Sequence, residues 1–306
     1  MDAIDLAHLK IGLEDKFLDA KNINPNLEAT LNRIKEHYDE YSKKFDSISK
    51  GLLDEVISSG LSEIHSVSRR IKDANSLLRK VIRKLSKLEE LSKSPRSSMV
   101  NDLEKYRILN EHNYYKIMTD LIGFRILIRY RQEWSAVDKW IRSKFESNFI
   151  SNWVNEYDPN PKNNYIVEKP KIYYKYADRD LYEDINKDDF DLCESKEGYN
   201  SVHYIINFQG CYVELQVRTI LDEAWCECTH DVIYKGNNPS QTLKLLAKSM
   251  AEQVKAAEVI TQIIYDGMHD LLQKEISTNP SSELDGNMHN RFDSKISKII
   301  EKRLGV

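Results

Sequence analysis

The sequence predicts an α+β fold, a mixed β-sheet flanked by helices. Three observations predict it. Apolar residues recur at three- and four-residue steps in three separate stretches, as amphipathic helices require. Between them lie short runs of strict apolar–polar alternation, the signature of half-buried strands. Only 10 Gly and 7 Pro occur in 306 residues, which suits a chain rich in long regular elements.

The first helical region is expected over 24–59. Asn24-Pro25 opens it, and Leu27, Leu31, Ile34, Tyr38, Tyr41 and Phe45 form its stripe. A second segment, "GLLDEVISSG", runs to Gly60. Residues 65–72 alternate, with Val67, Arg69 and Ile71 on one side and Ser68, Arg70 and Lys72 on the other. From Asp73 the period changes to that of a helix. Leu77, Leu78, Val81, Ile82, Leu85 and Leu88 share one face, and Ser76, Arg79, Lys80 and Arg83 the opposite one. Seven basic residues and a single acid, Asp73, fall between Arg69 and Lys84.

A polar loop is expected at 92–102. "TDLIGFRILIRYR" (119–131) reads as a strand with Asp120 at its mouth, "EWSAVDKWIRSKFESNF" as a helix, and "YIVEKPKIYYKY" (165–176) as a further strand. Residues 178–194 are acidic and read as an exposed loop. Thr219 is placed to cap a helix over 220–233, with Asp222 at the capping-box position and Trp225 assigned to the core. A long helix over 241–274 carries Leu243, Leu246, Met250, Val254, Ala257, Ile260, Ile264, Met268 and Leu271 at near-heptad spacing. It is expected to pack on the domain, with a dimer helix as the alternative. The expected organisation is therefore a helical region at 1–60, a core at 61–240, a long packing helix at 241–275, and a linker with a terminal helix at 276–306.

The hairpin "YNSVHYIINFQGCYVELQVRT" (199–219) carries the chemistry. With Gln209-Gly210 as the turn, His203 opposes Gln216 and Ser201 opposes Arg218. Opposing residues share a face. Ser201, His203, Glu214, Gln216 and Arg218 therefore converge on one side, and Val202, Tyr204, Ile206, Val213, Leu215 and Val217 cover the other. Mixed polar residues on one face suit a solvated sheet or a site. Asp120, Glu214 and the cations of 70–84 together form the inventory of a metal-dependent reaction on a nucleoside triphosphate.

The net charge of −4 argues against an overall electrostatic grip on nucleic acid but leaves room for a local basic patch. The first residues read as no signal peptide, and no apolar run reaches membrane-spanning length, so no membrane association is expected. Cys193, Cys211, Cys226 and Cys228 lack CxxC spacing, so reduced thiols in a cytoplasmic protein are expected rather than a zinc site.

These residues resemble the RelA/SpoT family of nucleotide pyrophosphokinases, in its small, synthetase-only form, over about 64–235. "SRRIKDANSLLRK" resembles the family's adenine-nucleotide motif and "DLIGFRILI" its metal-binding strand. "GYNSVH" resembles its guanine-side loop, and "VELQVRTILDEAWCECTHDVIYK" its signature strand and helix. The resemblance implies a nucleotidyltransferase-like fold and transfer of the β,γ-pyrophosphate of ATP to the 3′-hydroxyl of GDP or GTP. It implies Arg70, Lys72, Lys80 and Arg125 on ATP. It places Mg²⁺ on Asp120 and Glu214, with Glu214 also the base, Tyr199 stacked on the acceptor base, and His203 and Gln216 on the acceptor nucleotide. Two departures stand on the guanine side. Ser195-Lys196-Glu197 replaces the usual Lys-x-Asn, shifting the lysine Lys196 by one place, and Glu223 stands where Asn or Asp is usual. A carboxylate at 223 still accepts from guanine N1–H and the 2-amino group. A tRNA 3′ end, used by some toxic relatives, another nucleotide such as ATP or ADP, and a silent nucleotide-binding module stay open as alternatives. So do a homo-oligomer and an antitoxin or regulatory partner. The family's hydrolase His-Asp motif has no counterpart here, because His269-Asp270 lies on the wrong side of the synthetase motifs.

Overall fold

The computed structural model describes residues 9, 11–93, 103–147, 164–174, 188–195, 198–230 and 240–277. Helices α1 (Glu14–Ile23) and α2 (Leu27–Ser58) precede strand β1 (Ile64–Ile71) and helix α3 (Ala74–Ser92). Short α4 (Tyr114–Ile117), β2 (Ile122–Ile128), α5 (Trp134–Lys144), β3 (Glu146–Ser147), β4 (Tyr165–Ile166), β5 (Lys171–Tyr174) and β6 (Asp191–Glu194) follow. The hairpin β7 (Ser201–Phe208) and β8 (Cys211–Thr219) leads into α6 (Ile220–His230) and α7 (Gln241–Ser277).

One mixed sheet runs in the order β1-β2-β8-β7-β4-β3, with β5 also on β7 and β6 beside β5. β2 and β8 are parallel at its centre, whereas β1–β2 and β7–β8 are antiparallel. The hairpin register is the expected one: Phe208 faces Cys211, Ile205 faces Glu214 and His203 faces Gln216. Gln209 and Gly210 both turn with positive φ, 51° and 82°, the paired left-handed geometry of a tight two-residue loop.

The register sorts side chains by face. Val202, Tyr204, Ile206, Val213, Leu215 and Val217 join the main core with α2 and α3. Each fully buried aliphatic residue there contributes about 1.5–3 kcal/mol. α3 presents the expected stripe of Leu77, Leu78, Val81, Ile82, Leu85 and Leu88, all buried. Asp73 caps it, its carboxylate accepting from the Ser76 amide at 2.8 Å. α2 runs unbroken through Gly51, joining the two segments read in the sequence, and Gly60 beyond its end turns with φ 64°. Arg69 turns to the helix side and pairs with Asp46 at 2.7 Å. This alternation leaves Ser68 and Arg70 on the opposite, open face.

Three local expectations change. The strand expected over 165–176 is two short strands, separated at Pro170, which cannot donate to a ladder. The acidic stretch contains a strand, β6, because Asp191–Glu194 pairs in parallel with Lys171–Tyr174. The long helix packs by only part of its apolar stripe, Met250 and Val254 lying against Trp225, Cys226 and Ala251. Ala247, Ala251 and Glu258 are buried, while Leu243, Leu246, Ile260, Ile264 and Met268 remain exposed. Trp225 anchors it by donating to the Ala247 carbonyl at 2.9 Å. The loop expected at 92–102, the acidic residues before 188, the far ends of the helices expected at 133–149 and 220–233, and the tail beyond 277 lie partly or wholly outside the described residues.

Candidate active site

The open face is assembled strand by strand. Arg70 on β1 lies opposite Gly123 on β2, and Gly123 lies opposite Glu214 on β8. Gly123 thus puts a residue without a side chain between a guanidinium and a carboxylate. A Cβ there would meet nothing closer than the Arg70 carbonyl at 3.9 Å. The next row on the same face is Ser68, Arg125, Gln216, His203 and Lys171, supplied by five strands.

Asp120 sits just before β2. The Lys72 amide donates to the Leu121 carbonyl at 2.9 Å and brings the end of β1 beside it. Lys72 and Lys80 then converge on one oxygen of Asp120, Oδ2, at 3.1 and 2.8 Å. The Asp73 cap sets the direction of α3 and so aims Lys80. Burial pushes the Asp120 carboxyl upward, but Lys80 and Lys72 outweigh it and hold the group below its ordinary range. The other oxygen, Oδ1, is buried and has no hydrogen-bond partner. Arg83 is near enough for Asp120 to oppose the loss of its charge on burial.

Glu214 is bound within a closed hydrogen-bonded ring. It faces His203 Nδ1 at 3.2 Å and accepts from Gln216 at 2.8 Å. His203 Nε2 meets the Tyr199 hydroxyl at 2.8 Å, and Arg218 donates to that hydroxyl at 3.2 Å and to Gln216. Burial raises the Glu214 carboxyl, His203 and Gln216 bring it below its ordinary value, and the charge of Asp120 pushes it back up. The charges of the two carboxylates therefore act on each other. Burial also raises the Tyr199 phenol, which keeps it neutral. The Arg218 guanidinium lies 5.3 Å from the Tyr199 ring centre.

This is not a wet sheet face. The Arg218 side chain is 3% exposed, His203 14% and Glu214 21%. Arg125 and Glu223 also meet here: Arg125 Nη1 donates to Glu223 at 2.8 Å and to Glu227, and Arg218 lies 3.0 Å from the other Glu223 oxygen.

The structure thus gathers Arg70, Lys72, Lys80, Arg125, Asp120, Tyr199, His203, Glu214, Gln216 and Glu223 around one face, whereas Lys196 lies outside the described residues. It adds residues that the sequence reading did not single out. Lys171 pairs with Glu168 at 2.5 Å beside His203, and the Tyr173 ring lies 4.7 Å from the His203 ring. Tyr106 is buried, and the charges of Asp120 and Glu168 both reach its phenol. No local signal marks Lys171 and Tyr173, because the pairing of β5 with β7 is non-local.

Among the described residues no group of three or more His, Cys, Asp or Glu side chains forms a ready metal cage. Two carboxylates whose charges act on each other, one with an idle buried oxygen, fit instead a cation that completes its shell with water and phosphate.

Comparison by sequence with curated proteins gave no match. Among solved structures, the small alarmone synthetase 1 from Bacillus subtilis aligns at 16% identity, over 76% of this chain and 99% of that chain, with a TM-score of 0.46. The same protein bound to its product pppGpp aligns at 18% identity, 74% and 97% coverage, TM-score 0.44. A GTP pyrophosphokinase family protein from Streptococcus pneumoniae aligns at 15% identity, 80% and 97% coverage, TM-score 0.45. The model of the region found in RelA/SpoT proteins matches residues 69–239, more than half of the 306. That span carries both carboxylates, the basic helix and the hairpin. The chain belongs to the RelA/SpoT family, and its enzymatic class is that of a pyrophosphotransferase.

Proposed function

We propose that this protein transfers the β,γ-pyrophosphate of ATP to the 3′-hydroxyl of GDP or GTP, releasing AMP. One observation carries the reading. Asp120, paired with Lys72 and Lys80, and Glu214, paired with the His203 that meets Tyr199, lie near enough for their charges to act on each other. Cations beside one carboxylate suit a triphosphate, and an aromatic ring with hydrogen-bonding groups beside the other suits a nucleoside.

On this reading Lys72, Lys80 and Arg70 hold the donor phosphates, and Arg125 joins them when it leaves Glu223. Asp120 and Glu214 hold Mg²⁺, with Asp120 Oδ1 the idle ligand atom. Magnesium, when bound, neutralises phosphate charge and aligns the oxygens for in-line displacement. Glu214 is held ionised and accepts the 3′-hydroxyl proton. The new bond joins the 3′-oxygen to the β-phosphorus. The bond from that phosphorus to the α,β-bridging oxygen breaks, and the oxygen leaves with AMP. Tyr199, braced by Arg218, stacks on the acceptor base, and His203 and Gln216 contact the acceptor as they orient Glu214. Glu223 takes the N1–H and 2-amino edge of guanine, an edge that adenine lacks. The resemblance assigns Lys196 to the acceptor side as well.

Incubation with γ-labelled ATP and, in separate reactions, GDP, GTP, ATP or tRNA tests this. Label is expected in the guanine nucleotides. Label in tRNA alone makes the tRNA 3′ end the acceptor, and nucleotide binding without AMP release makes the protein a silent module. No helix among the described residues is long and apolar enough to cross a membrane, and we place the reaction in the cytoplasm, where these nucleotides occur.

A further inference from the structure

Arg125 stands between Ser68 and Gln216 in the register of the open face. Its Nη1 donates to Glu223 Oε1 at 2.8 Å and also reaches Glu227. Glu223 and Glu227 lie one turn apart on α6, where two like charges destabilise a helix unless a cation bridges them. A guanidinium rising from β2 supplies that bridge. The other Glu223 oxygen, Oε2, is buried and makes no well-formed hydrogen bond, although Arg218 Nη1 lies 3.0 Å away. Arg218 is itself fixed by Tyr199 and Gln216.

One carboxylate therefore has one oxygen tied to a donor-side arginine and one oxygen with capacity to spare. Guanine needs both oxygens, one for N1–H and one for the 2-amino group.

We infer that Arg125 is a latch that couples the two subsites: donor binding draws it off Glu223 and so opens the acceptor's base-reading carboxylate. The inference rests on the proposed roles of Arg125 and Glu223. A nucleoside triphosphate competes well for a guanidinium, because phosphate oxygens make strong charge-assisted bonds to it. Arg218 stays behind, its Nη1 3.0 Å from Oε2, and keeps Glu223 aimed. The sign of the coupling is diagnostic. Two polyanions in one cleft repel, so without a latch each weakens the other's binding. With the latch, the donor strengthens acceptor binding.

Calorimetric titration of GDP in the presence of Mg²⁺ tests it, with and without saturating α,β-methylene-ATP, whose P–C–P bridge cannot release AMP. For the wild-type protein the analogue is expected to raise GDP affinity about tenfold, within the usual range of coupling between sites. Arg125→Met is expected to bind GDP alone about as tightly as the wild type does with the analogue. Arg125→Lys keeps the charge but cannot bridge two carboxylates, and falls between. A gain in affinity cannot arise from misfolding. Equal or weaker GDP binding by Arg125→Met, or no effect of the analogue on the wild type, overturns the latch. If label still transfers to GDP in that case, the proposed function stands and the latch alone fails. Absence of GDP binding to all three proteins, with or without the analogue, overturns both the guanine assignment and the latch.

Discussion

Glu214→Gln separates chemistry from packing. The substitution keeps the shape of the side chain and its contact with Gln216, and removes the charge. In the folded protein that charge is favoured by His203 and Gln216 and opposed by burial and by Asp120. Neutralising it loses the pairing with His203 at 3.2 Å but also relieves the repulsion from Asp120. These terms oppose each other, so the net change in stability is expected to stay within about 1 kcal/mol. Catalysis has no such compensation. An amide accepts no proton from the 3′-hydroxyl, and loss of a general base costs about 10²–10⁴-fold. The assays are AMP release under saturating ATP and acceptor, and urea unfolding of the same preparation. An unchanged midpoint with at least a hundredfold loss of turnover is the expected pair. Turnover within about threefold of wild type would refute the assignment of Glu214 as the base.

Other substitutions give distinct signatures. Asp120→Ala leaves Lys72 and Lys80 facing each other without their shared counter-charge, so about 1–3 kcal/mol of stability is expected to go with the activity, measured by the same unfolding and AMP assays. Trp225→Ala removes a side chain that is 2% exposed and its hydrogen bond to α7, and should cost about 3–5 kcal/mol by urea unfolding. Asp120 and Glu214 are both held below their ordinary values of 3.8 and 4.5. Their contribution to stability is therefore complete above those values and is lost as pH falls through the lower folded ones. Unfolding midpoints measured from pH 6 downward should show a loss beginning below about 4.5 that Glu214→Gln diminishes.

Much of the site was legible because a tight turn and strict alternation determine a register. Gln209-Gly210 and the six apolar residues of the hairpin's buried face suffice to put Ser201, His203, Glu214, Gln216 and Arg218 together. The change of period at Asp73 likewise separated Lys80 from the stripe of α3. The remainder depends on contacts distant in sequence. Nothing in "KIYY" states that Lys171 and Tyr173 lie beside His203, because β5 reaches β7 only across the sheet. The heptad spacing of α7 marked an apolar face, yet only its Met250 and Val254 stretch docks, beside Ala247, Ala251 and Glu258, where small side chains and ion pairing permit close approach. The acidic character of β6 concealed an edge strand whose two end residues, Asp191 and Glu194, meet water while Leu192 and Cys193 between them are half-buried. The sequence marks Glu223 as a base-reading carboxylate, but its capture by Arg125 depends on a contact between β2 and α6 that is distant in sequence.

The central claim is pyrophosphate transfer on the Asp120–Glu214 face. The most direct measurement is the stoichiometry of products from ATP and GDP, resolved by anion exchange with ³¹P NMR of the new ester. The account predicts one AMP for each guanosine nucleotide carrying a 3′-diphosphate, with both yields falling together in Glu214→Gln. ADP in place of AMP, or AMP without a 3′-diphosphate ester, would contradict it.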